Sequence, residues 1–327
     1  MIDNDLRAQF CYVGAQDLLK HVVCLSEDFL LERDHFRSSA LLTISEIIKS
    51  QQLPVLNLST NPIVAKVYLS LLLEHFDADK FFVLSSDCRP MQCSKLNMAP
   101  WPAALLLQQQ ASRDYTANFN KIHRISVLMR QTRLHRLALM EKIRPLATQH
   151  DVVVANKTIG NNIPIPLQKA EYTNWIENLP WANKNEFLDL GSSNDWPNDF
   201  NYTNIDHPAY RAMVNITNES WYDDNILFIT EKTWKAYASA CLVVNYGSTD
   251  MPDQLEKFGF EIWKEYDVNC DYRSKIEIIA ELFQRQDIEH IYNKNIDMIR
   301  HNQQLSDSID LARTLTALAI EKITNLL

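Results

Sequence analysis

Glycine is scarce in this sequence, with only five among 327 residues. The two glycine-rich patterns that cradle phosphate groups with backbone amides, GxGxxG and GxxxxGK[ST], are both missing. Any phosphate group that this chain binds is therefore expected to be held by cationic side chains and by the free amides of helix N-termini.

Long apolar runs are missing as well. No stretch approaches the roughly 18 uncharged apolar residues that a membrane-spanning helix needs. The first ten residues, MIDNDLRAQF, have neither the basic nor the apolar segment of a secretory signal. We therefore expect a cytoplasmic protein without a membrane span.

Metal-binding patterns are also absent. Six cysteines are scattered along the chain, and the closest pair, Cys88 and Cys93, has no second pair or histidines at zinc-ligand spacing. No Asp-x-Asp triplet follows a predicted strand, and the adjacent acids Asp223 and Asp224 fall in a predicted loop. The sequence therefore predicts buried thiols, no metal site and no cofactor.

Positive charge is in the minority, since the formal net charge is −9. This balance argues against a general nucleic-acid coating protein, because nonspecific binding to DNA depends mostly on lysine and arginine neutralising phosphates. Residues 121–144 are the exception, with seven basic residues against the single acid Glu141. Such a cluster predicts an anionic partner, and the alternative is a solvated helix face. The seven are Lys121, Arg124, Arg130, Arg133, Arg136, Lys142 and Arg144.

Length and pattern predict two α/β domains. The chain exceeds the size at which one core usually keeps growing, and 46% of its residues are hydrophobic. Apolar β-rich runs alternate with amphipathic helical stretches in both halves, which favours parallel sheets that bind ligands at the carboxyl ends of their strands. In the first half, strands are predicted near 22–25, 54–58 and 80–84, helices at 39–50 and 62–76, and a connection at 89–120.

The second half repeats this alternation. Residues 171–225 are polar and aromatic with little periodicity, which indicates loops and small elements over a cleft or, alternatively, an irregular surface insertion. Thr230 is placed to N-cap a helix that runs to about Ala240, and Gly259 is placed to end another. The remaining predictions are strands at 124–128, 151–155 and 241–245, a helix at 134–146, and only helices from 274 to 327, the last packing back on the first domain.

One segment carries a specific resemblance. Residues 218–244 read NESWYDDNILFITEKTWKAYASACLVV. This stretch resembles the donor-binding motif of the fucosyltransferase-like GT-B glycosyltransferases, which is written ENS, a spacer, Y-[IV]-T-E-K, a helix and a strand. It is also similar to the glycosyltransferase-like proteins of large bacteriophage genomes, which carry FITEKT and a later L-x-x-x-GF, matched here by 255–260. Their upstream strand followed by Arg and His-Arg is matched by 127–136.

The resemblance implies a GT-B-like fold, in which two Rossmann-like domains face a cleft and the C-terminus is helical. Residues 1–120 are expected to form the acceptor domain and residues 121–327 the donor domain. Glu231 is expected to accept hydrogen bonds from the ribose hydroxyls and Lys232 to pair with a phosphate. A nucleotide sugar needs such a carboxylate and cation, together with an aromatic wall. The other expected donor-binding residues are Thr230, Phe228, which replaces the family's tyrosine, Glu219, Arg130 and Arg133.

Two catalytic roles follow from the same placement. Arg133 and Arg136, three residues apart at the start of a helix, are expected to neutralise the leaving group, and Arg136 is our catalytic candidate. Asp87, just after a predicted strand, is the candidate base, and each acid of this kind also suits a helix cap or turn. Rival bases are Glu27, Asp28, His123, His135 and His207.

The sequence therefore predicts a metal-independent transferase that uses a nucleotide sugar as co-substrate. The phage-type resemblance points to hydroxymethylated pyrimidines in DNA as acceptor, in host cytoplasm. A polysaccharide or other glycan acceptor is the alternative, and a non-catalytic nucleotide-sugar-binding module is another. The donor nucleotide, the sugar and the oligomeric state stay open at this point.

Overall fold

The computed structural model describes residues 2–26, 36–58, 72–85, 98–111, 117–129, 134–155, 208–219, 222 and 227–327. Within these ranges, eight strands form two four-stranded sheets, and all strand pairings are parallel. The predicted α/β class with parallel sheets is confirmed. The predicted helix at 62–76 lies mostly outside the described residues.

The first sheet has the strand order β1-β2-β3-β4. Alternate side chains of its strands enter two different apolar cores, one containing Val55 and Phe82 and the other containing Leu56 and Val83. A strand buried on both faces is continuously apolar, which is why these runs read clearly in the sequence. The elements are α1 (Asn4–Tyr12), β1 (Val22–Ser26), α2 (Phe36–Lys49), β2 (Leu53–Leu58), β3 (Phe82–Ser85), β4 (Met98–Pro100) and α3 (Ala103–Ala111).

The second sheet consists of β5 (His123–Met129), β6 (Val152–Ala155), β7 (Ala212–Asn218) and β8 (Leu242–Tyr246), in the order β6-β5-β7-β8. The chain goes from β5 outward to β6 and then returns to β7 on the other side of β5. The direction of winding therefore reverses between β5 and β7. In open α/β sheets, ligands bind outside the carboxyl ends of the strands at such a switch point.

Seven α-helices among the described residues follow β5 in the chain. α4 and α7 pack on one face of the second sheet, whereas α5 belongs to a separate apolar core with Val243 of β8. Helices follow one another from 272 to the C-terminus, as predicted. The helices are α4 (Leu134–Ile143), α5 (Glu231–Ala238), α6 (Met251–Lys257), α7 (Tyr272–Gln284), α8 (Ile288–Lys294), α9 (Ile296–Ser306) and α10 (Ile309–Leu326).

The last helix belongs to the first sheet by its packing. Ala319 and Ile323 of α10 lie in the core that contains Val55, and Lys322 Nζ donates to the Met98 carbonyl at 3.1 Å. In the other direction, Leu105 of α3 lies in the α5 core. The prediction that a terminal helix packs back across the first domain is confirmed.

Two predictions of irregular structure were wrong. Residues 171–225 contain β7, a central strand, and residues 89–120 contain β4 and α3. β7 was missed because asparagine and threonine interrupt its apolar residues, yet Asn215 donates to Ser126 Oγ at 2.8 Å and Thr217 donates to Asn245 at 3.0 Å. Tertiary hydrogen bonds make these polar residues compatible with a buried strand.

Candidate functional site

The site begins where α5 begins, beyond the carboxyl end of β7. Thr230 has extended backbone angles, and its hydroxyl accepts from the Lys232 amide at 3.4 Å. A threonine hydroxyl in this position satisfies one of the amides that the first turn of a helix leaves free. The predicted N-cap is confirmed, and it puts Glu231 and Lys232 in the first turn of α5.

The side chain of Glu219 stabilises this first turn of α5 through hydrogen bonds. Glu219 follows β7 directly and its side chain is 0% exposed. Its carboxylate accepts from the Thr230 amide at 3.0 Å, the Thr230 hydroxyl at 2.5 Å and the Thr233 hydroxyl at 2.7 Å. A carboxylate with three donors is compensated for its burial. The sequence predicted Glu219 as a donor-binding residue, and in this structure its carboxylate is instead directed at α5.

Because Gly247 has no side chain, Glu219 can pack closely against its backbone. A Cβ at this position would lie 3.1 Å from Glu219 Cβ and 3.0 Å from Met251 Sδ. The Glu219 amide also donates to the Tyr246 carbonyl at 2.9 Å, which extends the pairing of β7 with β8 by one residue. The close approach of the backbone after β8 therefore helps to fix Glu219.

Residues at the start of α4 form hydrogen bonds with the backbone of Asn218 and Glu219, at the end of β7. Arg136 is 2% exposed, and it donates through Nε to the Glu219 carbonyl and through Nη2 to the Asn218 carbonyl, both at 3.0 Å. His135 Nε2 lies 3.2 Å from the Glu219 carbonyl. These bonds tie the N-terminus of α4 to the end of β7, so Arg136 contacts main chain in this structure. Its catalytic role stays a prediction.

Glu231 and Lys232 reach solvent at the mouth of α5. Their side chains are 25% and 18% exposed, and Lys232 Nζ lies 3.5 Å from Glu231 Oε1 and 3.1 Å from Thr230 Oγ1. Burial opposes the charge of Glu231, but the ammonium groups of Lys232 and Lys235 outweigh it and hold the pKa of this carboxyl below its usual value. The turn thus presents a carboxylate and an ammonium at the amino end of a helix, where the helix dipole favours an anion.

Phe228 is half-buried and lies two residues before the cap. Its neighbours Leu227 and Ile229 are buried in the α5 core. Because side chains alternate along extended backbone, Phe228 is directed away from that core. This placement leaves its ring as a candidate wall, as the sequence predicted.

The predictions for Asp87, Arg130 and Arg133 lie outside the described residues, as do those for Glu27, Asp28 and His207. His123 is the first residue of β5 and therefore belongs to the amino end of the sheet, opposite the site. Burial, aided by Arg211, lowers the pKa of His123. His135 is the rival base that lies at the site.

Three described members of the basic cluster, Lys121, Arg124 and Lys142, contact other residues in the second half of the chain. Lys121 Nζ donates to the Tyr210 carbonyl at 3.0 Å and also to the Ser239 carbonyl, Arg124 pairs with Asp151 at 3.4 Å, and Lys142 pairs with Glu277 at 2.6 Å. These contacts give the three residues structural partners inside the chain.

A group of aromatic side chains at this edge was missed by sequence reasoning. The ring of Tyr246, at the end of β8, lies 5.1 Å from that of Tyr222 and 5.8 Å from that of His135, centroid to centroid. Tyr272 of α7 lies 5.9 Å from Tyr222. Only the order of the strands brings these distant residues together, so their spacing in the sequence carries no signal.

The described ranges contain neither a cluster of metal-ligating side chains nor a helix suited to crossing a membrane. They contain no group of three or more His, Cys, Asp or Glu side chains that could hold a metal ion. Among the helices in the described part of the chain, none has both the length and the apolar character that crossing a bilayer requires.

Comparison with known proteins does not assign the chain to a family. No protein-family model matches the sequence. No curated protein matches it either.

Proposed function

We propose that this protein transfers a sugar from a nucleotide-sugar donor to a hydroxyl acceptor, with the donor held at the first turn of α5. The observation that carries the proposal is the pair Glu231 and Lys232, which is partly exposed at a capped helix N-terminus beside the switch point of a parallel sheet. Anionic groups bind at such helix ends because the free amides and the helix dipole favour them.

The chemistry of the pair suits the two parts of a donor. In the proposed complex, the Glu231 carboxylate accepts hydrogen bonds from vicinal ribose hydroxyls, and its lowered pKa keeps it an acceptor at neutral pH. The Lys232 ammonium pairs with the diphosphate. Half-buried Phe228 is the proposed apolar wall.

Transfer breaks the bond between the anomeric carbon and the diphosphate oxygen and forms a bond from that carbon to the acceptor oxygen. Lys232 and the α5 amides stabilise the charge that develops on the leaving diphosphate. The acceptor hydroxyl loses its proton to a base, for which we propose Asp87 in the first half of the chain. This division of labour corresponds to a GT-B arrangement, with residues 1–120 on the acceptor side and 121–327 on the donor side.

Arg136 has a positioning role in this scheme. It holds the carbonyls of Asn218 and Glu219, and Glu219 in turn holds the cap of α5. Its effect on the leaving group is therefore transmitted through the first turn of α5. Arg130 and Arg133 are proposed to contact the donor phosphates directly.

The acceptor is proposed to be a hydroxymethylated pyrimidine in DNA or, as the second candidate, a glycan. The formal charge of −9 and the internal partners of Lys121, Arg124 and Lys142 favour the glycan. Binding to duplex DNA that weakens steeply between about 50 and 200 mM salt would favour DNA, because phosphate contacts release counterions. A lack of binding at both salt concentrations would rule out DNA as the acceptor.

Turnover of a panel of nucleotide sugars, followed by mass spectrometry of products, tests the proposal. Glu231→Ala and Lys232→Ala are expected to lower turnover by about a hundredfold or more while changing stability by no more than about 1 kcal/mol. Lys264→Ala is the control, because Lys264 forms a comparable ion pair with Glu256 at 2.9 Å on an exposed surface.

The outcomes of this panel separate the alternatives. Wild-type turnover in both site variants would show that the donor site is assigned wrongly. Donor binding without turnover in the wild-type protein, with any donor or acceptor, would identify a non-catalytic binding module.

A further inference from the structure

Asn218 ends β7 with a side-chain amide that has no hydrogen-bond partner in the described part of the chain. The residue is 1% exposed, and neither Oδ1 nor Nδ2 has a partner among the described residues. Val214 and Ile216 of the same strand face the apolar core under α4 and α7. Because side chains alternate along a strand, the Asn218 amide is directed to this face as well.

Asn218 is the exception among the buried asparagines of the described residues. The described part of the chain has three other buried asparagines, and each is hydrogen-bonded. Asn215 donates to Ser126 at 2.8 Å, Asn245 binds Asp267, and Asn302 both accepts from the Glu261 amide at 2.8 Å and donates to the Glu261 carbonyl at 2.7 Å. A buried amide with unmet donors and acceptors destabilises a fold, so its presence calls for a function or a bound molecule.

The surroundings of the amide are aromatic. Asn218 pairs in register with Tyr246, and paired residues of a parallel sheet direct their side chains to the same face. Tyr246 contacts the half-buried rings of Tyr222 and His135 at centroid distances of 5.1 and 5.8 Å. The unpartnered amide therefore lies at the switch point, between β5 and β8, on the face where these rings gather.

An amide offers one donor and one acceptor side by side, and flat rings offer stacking surfaces. A nucleobase matches both features, since the N3–H and O4 of uracil or the N1–H and O6 of guanine form two hydrogen bonds with an amide. We propose that Asn218 recognises the base of the donor nucleotide, and that the rings of His135 and Tyr222 form the walls of this subsite. This inference rests on the proposed function.

Glu219 connects this base subsite to the proposed ribose site. Glu219 follows Asn218 in the chain and braces the turn that carries Glu231 and Lys232. Asn218 and Glu219 are directed to opposite faces of the strand end, so a nucleotide that uses both sites lies across the end of β7. The amide atoms are closed off from solvent, and a base reaches them when neighbouring side chains move aside.

Asn218→Leu tests the inference, because leucine has a similar size and cannot form hydrogen bonds. We expect the ligand-free variant to melt at or above the wild-type temperature, since an unsatisfied amide is lost. Its affinity for the preferred nucleoside diphosphate should fall by about tenfold or more. Its affinity for inorganic pyrophosphate should stay unchanged. Calorimetric titration of UDP, GDP and pyrophosphate measures these effects.

Asn302→Leu is the matched control, because it removes a buried asparagine whose amide is satisfied. This control should melt at a lower temperature and keep the wild-type ratio of nucleotide to pyrophosphate affinity. Asn218→Asp is a second variant in case the leucine variant does not fold. A carboxylate only accepts, so it receives two hydrogen bonds from N1–H and N2–H of guanine but only one from N3–H of uracil. The preference should therefore shift toward GDP by about tenfold or more.

Two results would overturn the inference. A ratio of nucleotide to pyrophosphate affinity that is unchanged in both Asn218 variants would mean that the amide serves only a buried water. An equal loss of nucleotide and pyrophosphate affinity would mean that the variants disturb the whole edge of the sheet. Failure of the wild-type protein to bind any nucleoside diphosphate would instead overturn the proposed function, and this inference with it.

Discussion

Glu219 shows how one buried residue determines the geometry of an exposed pair. Its carboxylate receives three hydrogen bonds, all from Thr230 and Thr233 at the start of α5. Arg136 and His135 hold its carbonyl from the side of α4. The orientation of Glu231 and Lys232 therefore depends on a residue that solvent does not reach.

Removal of this carboxylate should therefore affect both stability and donor turnover. Glu219→Ala leaves three buried donors without an acceptor, and we expect the free energy of unfolding to fall by ~3 kcal/mol. Glu219→Gln keeps an acceptor oxygen and should lose less than half as much. Urea unfolding measures the two losses, and equal losses in the two variants would contradict a role based on hydrogen bonding.

The junction between α9 and α10 is the element that joins the two halves of the chain. Gln109 of α3 donates to the carbonyls of Ser306 and Ser308 at 2.6 and 3.0 Å, on either side of Asp307. Gln303 Nε2 donates to Asp307 at 2.6 Å, and Gln108 Oε1 is buried without a partner in the described part of the chain. Burial raises the pKa of Asp307 to about 6, and the bond from Gln303 opposes this effect.

This junction should make stability depend on pH. The pKa of Asp307 is about 6 in the fold against an ordinary value of 3.8, so the folded protein binds the proton more tightly than the unfolded chain. The stability that Asp307 contributes is complete below pH 3.8 and is lost as the pH rises through 6. Asp307→Asn should remove this loss and raise stability at about pH 7.5 by roughly 2 kcal/mol.

The amide that Asp307→Asn introduces can also donate to Gln108 Oε1, once the side-chain amide of Gln108 has rotated by half a turn. Asp310→Asn, at an exposed position in the first turn of α10, controls for the change in net charge. Thermal unfolding between about pH 4 and pH 8 measures the effect. Parallel curves for the wild-type protein and Asp307→Asn would contradict the assignment.

At the scale of the whole molecule, each sheet has a core that includes a helix from the other half of the chain. α10, the last helix, covers the first sheet, and α3, from the first half, packs in the core of α5. The first sheet therefore depends on α10 from the second half of the chain, and the core of α5 depends on α3 from the first half. We infer that the two sheets unfold together.

Two isoleucines allow this inference to be tested. Ile323 of α10 lies in the core of the first sheet, and Ile299 of α9 lies in the core of the second. Ile323→Ala and Ile299→Ala should each lower the free energy of unfolding by about 3 kcal/mol. Calorimetry should show a single transition that shifts in both variants. Two transitions, of which each variant shifts only one, would contradict shared unfolding.

The sequence alone determined the elements whose signals are local. The double-faced apolar runs predicted β1, β2 and β5, the threonine before Glu231 predicted the cap of α5, and the C-terminal helices followed from their periodicity. These features depend on residues that are neighbours in the chain, so a pattern is enough to predict them. The glycosyltransferase proposal also began with a local segment, and it stays a prediction.

Only the tertiary structure decided which distant residues meet. It showed that β7 is a central strand, because Ser126 and Asn245 satisfy polar residues that look unsuited to a strand. It directed Glu219 to the cap of α5 and left the amide of Asn218 without a partner among the described residues. Hydrogen bonds between residues far apart in the chain depend on strand order, and strand order is not written in any local pattern.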